Sequence, residues 1–256
     1  MITARKGGVT KTTLTVNLAY CLSKRGKKVL VIDLDSQADT SKFFRWGGTE
    51  FYIGDALLDR KFDIKNAIYK AKVMGKDLDN LDIIVGRPND EMTMLDRNVF
   101  SLNRSEDRLA YQLKKIEGEY DFVLIDTPPT ANTLSMNATM ACDEFLFPSD
   151  FTEHSLDGIE AILEHIQDLK LIEEDEVNFF IVPSRVNRVT TKTLEYGKEF
   201  TQTRFPDNTT KTIIWKGEAV FNEAERRHLP IAAYKSSDVA AMHYNQLAQE
   251  ILDNDI

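Results

Sequence analysis

Two patterns of apolar residues take turns along this chain. Short continuous apolar runs occur at residues 28–33, 81–85, 120–126, 144–148, 177–182 and 211–215. Runs of that kind suit strands buried on both faces of a parallel sheet. Between them lie segments in which apolar residues recur every three or four positions, and these predict helices over 13–25, 106–116, 132–141, 156–171, 190–203 and 237–252. The clearest is 156–171, where Ile159, Ile162, Leu163, Ile166 and Leu169 turn with the helical period. In the first helix Leu14, Leu18, Cys21 and Leu22 share a face, and Gly26 is placed to stop it. The signal is weaker from 35 to 80. Short helices are expected there over 40–46, 53–58 and 64–71, with Gly47-Gly48 as a break. Strands alternating with helices predict an α/β fold: a doubly wound, mostly parallel β-sheet flanked by helices. No repeat or linker interrupts the pattern, so one domain is expected over residues 1–256.

Composition narrows the setting without naming a function. The chain has 256 residues, 42% hydrophobic and 29% charged, which suits a globular domain large enough for a sizeable core. Cys21 and Cys142 are far apart and form no C-x-x-C pair, so buried thiols in a reducing compartment are expected. No apolar run reaches the ~20 residues that span a bilayer, and no secretory leader is evident, which points to the cytoplasm. The formal charge of −9 speaks against a general nucleic-acid coat, although a local basic cluster would suffice for binding.

The candidate chemistry gathers at the start. Residues 2–4 form a short apolar lead, and Arg5-Lys6-Gly7-Gly8-Val9-Thr10 is a basic, glycine-containing turn. A helix-compatible run then opens at Lys11-Thr12-Thr13. A strand, a turn and a helix N-terminus in that order aim free backbone N–H groups at one point and make an anion site. Lys11 adds a charge suited to phosphate, and the Thr12 hydroxyl suits Mg²⁺. The strict P-loop pattern G-x-x-x-x-G-K-[ST] is not met, because Arg5 and Thr10 occupy its glycine positions. Taken alone, such a turn also fits an ordinary surface loop. Two apolar runs end in carboxylates: Asp33, with Asp35 two residues on, and Asp126 before Thr127-Pro128-Pro129. In a doubly wound sheet such strand ends converge on the ligand crevice, though a single Asp there often only caps the next helix.

What does fit the turn is K-G-G-x-x-K-[ST] with a second lysine, Lys6. With Asp33-Leu34-Asp35-Ser36-Gln37, Ile125-Asp126-Thr127-Pro128-Pro129, Phe147-Pro148 and Leu156-Asp157-Gly158, the chain resembles the ParA/MinD group of deviant Walker P-loop ATPases. The likeness runs from the N-terminus to about residue 190 and more weakly beyond. It implies ATP and ADP as ligands, with Mg²⁺, held by Lys6, Gly7, Gly8, Val9, Thr10, Lys11, Thr12 and Thr13. It implies Lys11 on the β- and γ-phosphates, Thr12 on the metal, and Asp33 and Asp126 on the metal's water shell. Asp35 would position the hydrolytic water, and Lys6 would reach the partner's phosphates across an ATP-sandwich homodimer. Asn187 would meet the adenine edge.

The resemblance also suggests a task. The C-terminus is acidic and unsuited to anionic lipid, so no membrane partner is expected; a cysteine-held cluster is not expected either. Nonspecific DNA is the expected partner, with Arg185, Arg188, Lys192, Arg226 and Arg227 as a candidate basic face. The same residues also fit an ordinary solvated surface. No helix-turn-helix segment precedes the loop, as in the shorter partition ATPases, which act on the nucleoid with a separate centromere-binding partner of the ParB kind. Two other readings stay open: a positioning ATPase of the same fold that moves a protein cargo, and a nucleotide-binding interaction protein without turnover. Two irregularities remain. The lead strand is short, so either the sheet begins with a stub or the natural start lies upstream. Thr10 is β-branched where a P-loop places glycine, which strains the usual loop path by about 1–3 kcal/mol.

Overall fold

The computed structural model describes residues 1–5, 11–45, 47–88 and 90–253. In chain order the elements are α1 (Lys11–Lys24), β1 (Val29–Asp33), α2 (Asp39–Phe44), α3 (Ile53–Leu58), β2 (Ile68–Val73), β3 (Lys76–Ile84), α4 (Asp90–Phe100), α5 (Arg108–Leu113), β4 (Phe122–Asp126) and α6 (Thr133–Ala141). There follow β5 (Glu144–Ser149), α7 (Glu153–Lys170), β6 (Asn178–Val186), α8 (Thr191–Arg204), β7 (Ile214–Trp215), α9 (Glu218–Arg226), α10 (Ile231–Tyr234) and α11 (Val239–Asp253). The strands run in the order β2-β3-β1-β4 and β5-β6-β7. Ile2 joins the two sets by parallel bridges to Asp126 of β4 and Leu146 of β5. Every strand pair is parallel except β2 with β3.

Alternation along β1 shows how the core is divided. Val29 and Val31 face a cluster with Leu14, Leu18 and Leu22 of α1 and Tyr244, Leu247 and Ile251 of α11. Leu30 and Ile32 face the other side, among residues of α3, α4, α6 and α7. A strand buried on both faces favours apolar side chains along its length, which is why Val29, Leu30, Val31 and Ile32 form an unbroken run before Asp33. Gly26, at φ +81°, ends α1, with the Lys27 N–H donating back to the Leu22 carbonyl at 3.3 Å.

Two expectations are corrected. Residues 64–71 are not one helix: a 3-10 turn covers Ile64–Ala67, and Ile68 opens β2. Met74 (φ +53°) and Gly75 (φ +76°) turn the chain into an antiparallel hairpin, and Lys70 pairs with Asp82 opposite it at 2.9 Å. The strand expected at 211–215 shrinks to Ile214–Trp215, because the Lys211 and Thr212 N–H groups donate to the Glu250 carboxylate instead of a neighbouring strand. Helix α4 is an element that the apolar pattern does not predict, although Met92, Leu95 and Val99 are its buried face. The short lead is anchored by the Ile2 N–H donating to the Ile125 carbonyl at 3.0 Å and the Thr3 N–H to the Leu146 carbonyl at 3.1 Å. Both cysteines are buried free thiols. Among the described residues no helix is long and apolar enough to cross a membrane.

Candidate active site

The sheet order carries the site. β1 and β4 are neighbours in a register that sets Asp33 beside Asp126, so two carboxylates stand at adjacent carboxyl ends. The lead bridges Asp126 on the same sheet, and α1 begins seven residues after Ala4 at Lys11. Lys6, Gly7, Gly8, Val9 and Thr10 lie outside the described residues. Lys11, Thr12, Asp33, Asp35 and Asp126 lie close together.

Asp126 is fully buried and fixed by two hydroxyls. Thr12 Oγ1 and Thr40 Oγ1 each donate to its Oδ2 at 2.7 Å. Its Oδ1 is buried and has no partner among the described residues. Asp33, also fully buried, is engaged on both oxygens. Oδ2 accepts from the Ser41 N–H at 2.8 Å and from Ser41 Oγ at 2.6 Å, and Oδ1 accepts from the Asp35 N–H at 3.2 Å. Ser41 Oγ in turn accepts from the Gly86 N–H at 2.9 Å. A Cβ at Gly86 would lie 2.9 Å from the Asp33 carbonyl oxygen, so only glycine lets β3 end this close to β1. Asp33 therefore ties the segment from Asp35 to Ser41 to the sheet, while Asp126 keeps one oxygen without a partner among the described residues. Between them Ala38 sits at φ +49°, a left-handed conformation that a side chain disfavours, immediately before α2.

The charges are out of balance. Burial, with repulsion from Asp126 next, holds the Asp33 carboxyl well above the usual carboxylate range. Burial also raises Asp126, against the pull of the Thr12 and Thr40 hydroxyls. The Lys11 ammonium is lowered by its own burial, which Asp126 and Asp35 partly offset, and its Nζ donates to the Ala4 carbonyl at 3.5 Å. Lys11 is the one cation set against these carboxylates among the described residues. Among the described residues no three His, Cys, Asp or Glu side chains converge to hold a metal unaided. A metal here must bring oxygen ligands with it. A nucleotide's phosphates and bound water would meet that need, and the Thr12 hydroxyl and the Asp126 carboxylate are the protein groups that would hold such an ion. The residues fit a Mg²⁺-nucleotide better than a bare ion.

Comparison with known proteins decides the family. The sequence profile of the AAA domain family matches residues 1–179. The chain is 31% identical to the cell division protein PomZ of Myxococcus xanthus, over 96% of its own length and 75% of that protein's. The chain belongs to the ParA/MinD-type P-loop ATPases. It is also 27% identical to the sporulation initiation inhibitor protein Soj of Bacillus subtilis, covering 99% of this chain and 97% of that one. The fold agrees: the septum site-determining protein MinD of Pyrococcus horikoshii, solved with Mg-ADP, superposes with a TM-score of 0.76 at 23% identity, covering 98% of this chain and 93% of that one.

The remaining predicted residues fall in different settings. Thr13 is half-buried, and its carbonyl accepts from Asn17 Nδ2 at 2.8 Å. Asn187 is exposed, and its Oδ1 accepts from the Val189 N–H at 3.0 Å. Arg185 is half-buried at φ +56° and lines a small cavity with Thr13, Asn17 and Ile231, apart from the exposed Arg188 and Lys192. The Arg188 guanidinium lies 5.1 Å over the Trp215 ring. Arg226 and Arg227 are exposed and share one counter-ion, Glu223, at 2.7 and 2.6 Å, so the three together present a single net positive charge. Thr40, Ser41 and Gly86 are site residues that sequence reasoning missed. Their one local signal is a pair of hydroxyls seven and eight residues after Asp33.

Proposed function

We propose that this chain is a Mg²⁺-dependent ATPase that works as a DNA partition switch. Two ATP-bound copies form a sandwich dimer, hold nonspecific DNA, and let go when a centromere-binding partner triggers hydrolysis. The observation that carries the chemistry is Asp126, buried with one oxygen unpartnered among the described residues, hydrogen-bonded to Thr12 and close enough to Lys11 to perturb it. In this reading Lys11 contacts the β- and γ-phosphates, Thr12 and Asp126 hold the metal and its water, and Asp35 orients the attacking water. Asp33 supports them by fixing the segment that carries Asp35. Magnesium supplies charge neutralisation on the phosphates when bound. Lys6, with the turn from Gly7 to Thr10, completes the cradle, and Lys6 reaches the phosphates of the second copy. Asn187 is the candidate adenine contact.

Among the basic residues, Arg188 and Lys192 are the best placed for DNA, being exposed and without a carboxylate partner among the described residues. A positioning ATPase that carries a protein cargo is the second reading. It is favoured by the pairing of Arg226 and Arg227 with Glu223 and by the similarity to a cell division protein. Two measurements separate the readings. A trans-acting cation contributes roughly 10³–10⁵ in rate in comparable systems, so Lys6→Ala should bind nucleotide normally and lose most turnover. Partition further requires ATP-dependent retention of the wild type on random-sequence DNA. Turnover without such retention selects the cargo reading, and near-normal turnover in Lys6→Ala removes the trans-lysine mechanism.

A further inference from the structure

Helix α2 carries two sets of polar residues, and the ATPase reading uses one of them. Thr40 and Ser41 hold Asp126 and Asp33. Lys42 of α2 and Arg45, its C-cap, instead line an open cavity of about 280 Å³, with Lys72 of β2 and the turn at Gly47-Gly48 as further walls. Three of the described residues that line it are cations and none is an anion. Lys42 has Asp39 at 2.6 Å and Lys72 has Asp77 at 3.7 Å, and neither carboxylate lines the cavity. Arg45 has no carboxylate partner among the described residues. Its Nη1 donates to the Lys70 carbonyl at 3.1 Å, and its guanidinium lies 5.0 Å from the centre of the Tyr69 ring, so the head group is held in place. Its Nε, by contrast, is buried and has no acceptor among the described residues. A cationic N–H withdrawn from water is destabilising until an acceptor meets it, and an anion meets it best.

We propose that this cavity is a binding site for a phosphate group, with Arg45, Lys42 and Lys72 as its donors, and that an occupant holds α2 against the β2–β3 hairpin. The class of ligand follows from the donors. The planar fork of an arginine suits two oxygens of one anion, and an ammonium acts as a point charge. A carboxylate has two oxygens in one plane. A phosphate has more, set tetrahedrally, so it can accept from Arg45 and from ammonium groups on both sides at once. The second part follows from where the donors stand. Lys42 and Arg45 belong to α2 and Lys72 to β2, so one anion joins the helix to the hairpin. The same helix presents Thr40 to Asp126 and Ser41 to Asp33, and an anion that steadies it steadies both contacts. Lys11 and Thr12 do not line this cavity, which makes it separate from the nucleotide cradle.

The test titrates pyrophosphate into the ¹⁵N-labelled chain without nucleotide or magnesium, with acetate at matched ionic strength as the control. The Gly47 and Gly48 amide signals should shift saturably with pyrophosphate and not with acetate, both in the wild type and in Lys11→Ala, whose cradle has lost its lysine. Arg45→Gln combined with Lys72→Gln should weaken the binding roughly tenfold or more. Lys72→Gln alone changes only an exposed side chain and should weaken it by a smaller factor. At about ten times the measured Kd, hydrogen exchange at the Ser41 amide should slow roughly tenfold. Equal shifts from acetate, shifts that vanish in Lys11→Ala, or an unchanged affinity in both Gln variants overturn the site. An unchanged Ser41 rate at saturation overturns its hold on α2. A random-sequence DNA duplex that gives the same shifts and competes with pyrophosphate assigns the phosphate to nucleic acid, and a duplex that does neither assigns it to a free phosphate. No readout involves ATP, so the outcome is independent of the ATPase reading.

Discussion

Replacing Asp126 by asparagine should make the nucleotide-free protein more stable and the nucleotide-loaded protein less so. The carboxylate is fully buried, and both Thr12 and Thr40 donate to Oδ2, a role that an amide oxygen can keep. The amide nitrogen then replaces Oδ1, which has no donor to lose among the described residues. What disappears is a buried charge whose pKa is raised by burial. Each unit of that rise is worth about 1.4 kcal/mol once the group ionises. Allowing for the unsatisfied amide, a gain of about 1–3 kcal/mol is expected, or very roughly 3–8 °C in Tm for a chain of this size. The sign can be checked with pH. A carboxyl whose native pKa lies above its unfolded value costs nothing while both states are protonated, and destabilises the native state as pH rises through the native pKa. The advantage of the variant should therefore be small near pH 4 and widen as pH rises toward 8. Mg-ATP at 100 times its Kd should add about 2.7 kcal/mol to the wild type and far less to the variant, cancelling or reversing the variant's advantage. Thermal unfolding of both proteins with and without Mg-ATP, at several pH values, reads all of this. A variant that melts below the wild type without nucleotide, or that gains as much from Mg-ATP, refutes the reasoning.

Thr40→Val keeps the shape of the side chain and removes one of the two donors to Asp126, so urea unfolding should show a loss of about 1–3 kcal/mol. Equal stability would mean that the hydroxyl is dispensable to the buried charge. Arg188→Ala combined with Lys192→Ala should weaken ATP-dependent DNA retention and lower the magnitude of the log K against log salt slope by about 0.9 for each phosphate that the variant no longer neutralises. An unchanged slope places the DNA face elsewhere.

The parts of this molecule written in local pattern were legible in the sequence, and those made by long-range hydrogen bonds were not. β1 and β4 announce themselves because both faces of each are covered, and their last residues, Asp33 and Asp126, are marked by the end of the apolar run. The hairpin of β2 and β3 is different. Ile64, Ala67, Ile68 and Ala71 also match a helical period, and the turn that overrules it is Met74-Gly75, which lacks the usual Asn-Gly or Asp-Gly signal. Helix α4 is blurred because Met94 and Phe100 are apolar yet exposed beside its buried face. In the site, Lys11, Thr12 and Asp126 follow from strand ends and a helix start. Thr40 and Ser41 act on carboxylates at the ends of β4 and β1 only because the chain doubles back after Asp33, and no periodicity reports where a hydroxyl points. Likewise the need for glycine at position 86 comes from an approach to Asp33 across 53 residues of sequence.

The central claim is that Lys11, Thr12 and Asp126 form a working Mg²⁺-ATP site. It is tested most directly by following phosphate release from ATP by the purified wild type and by Lys11→Ala, with magnesium and with excess chelator. Release by the wild type that requires magnesium and is lost in Lys11→Ala is the expected result. No magnesium-dependent release from the wild type with DNA and partner supplied, or equal release from Lys11→Ala, would contradict it.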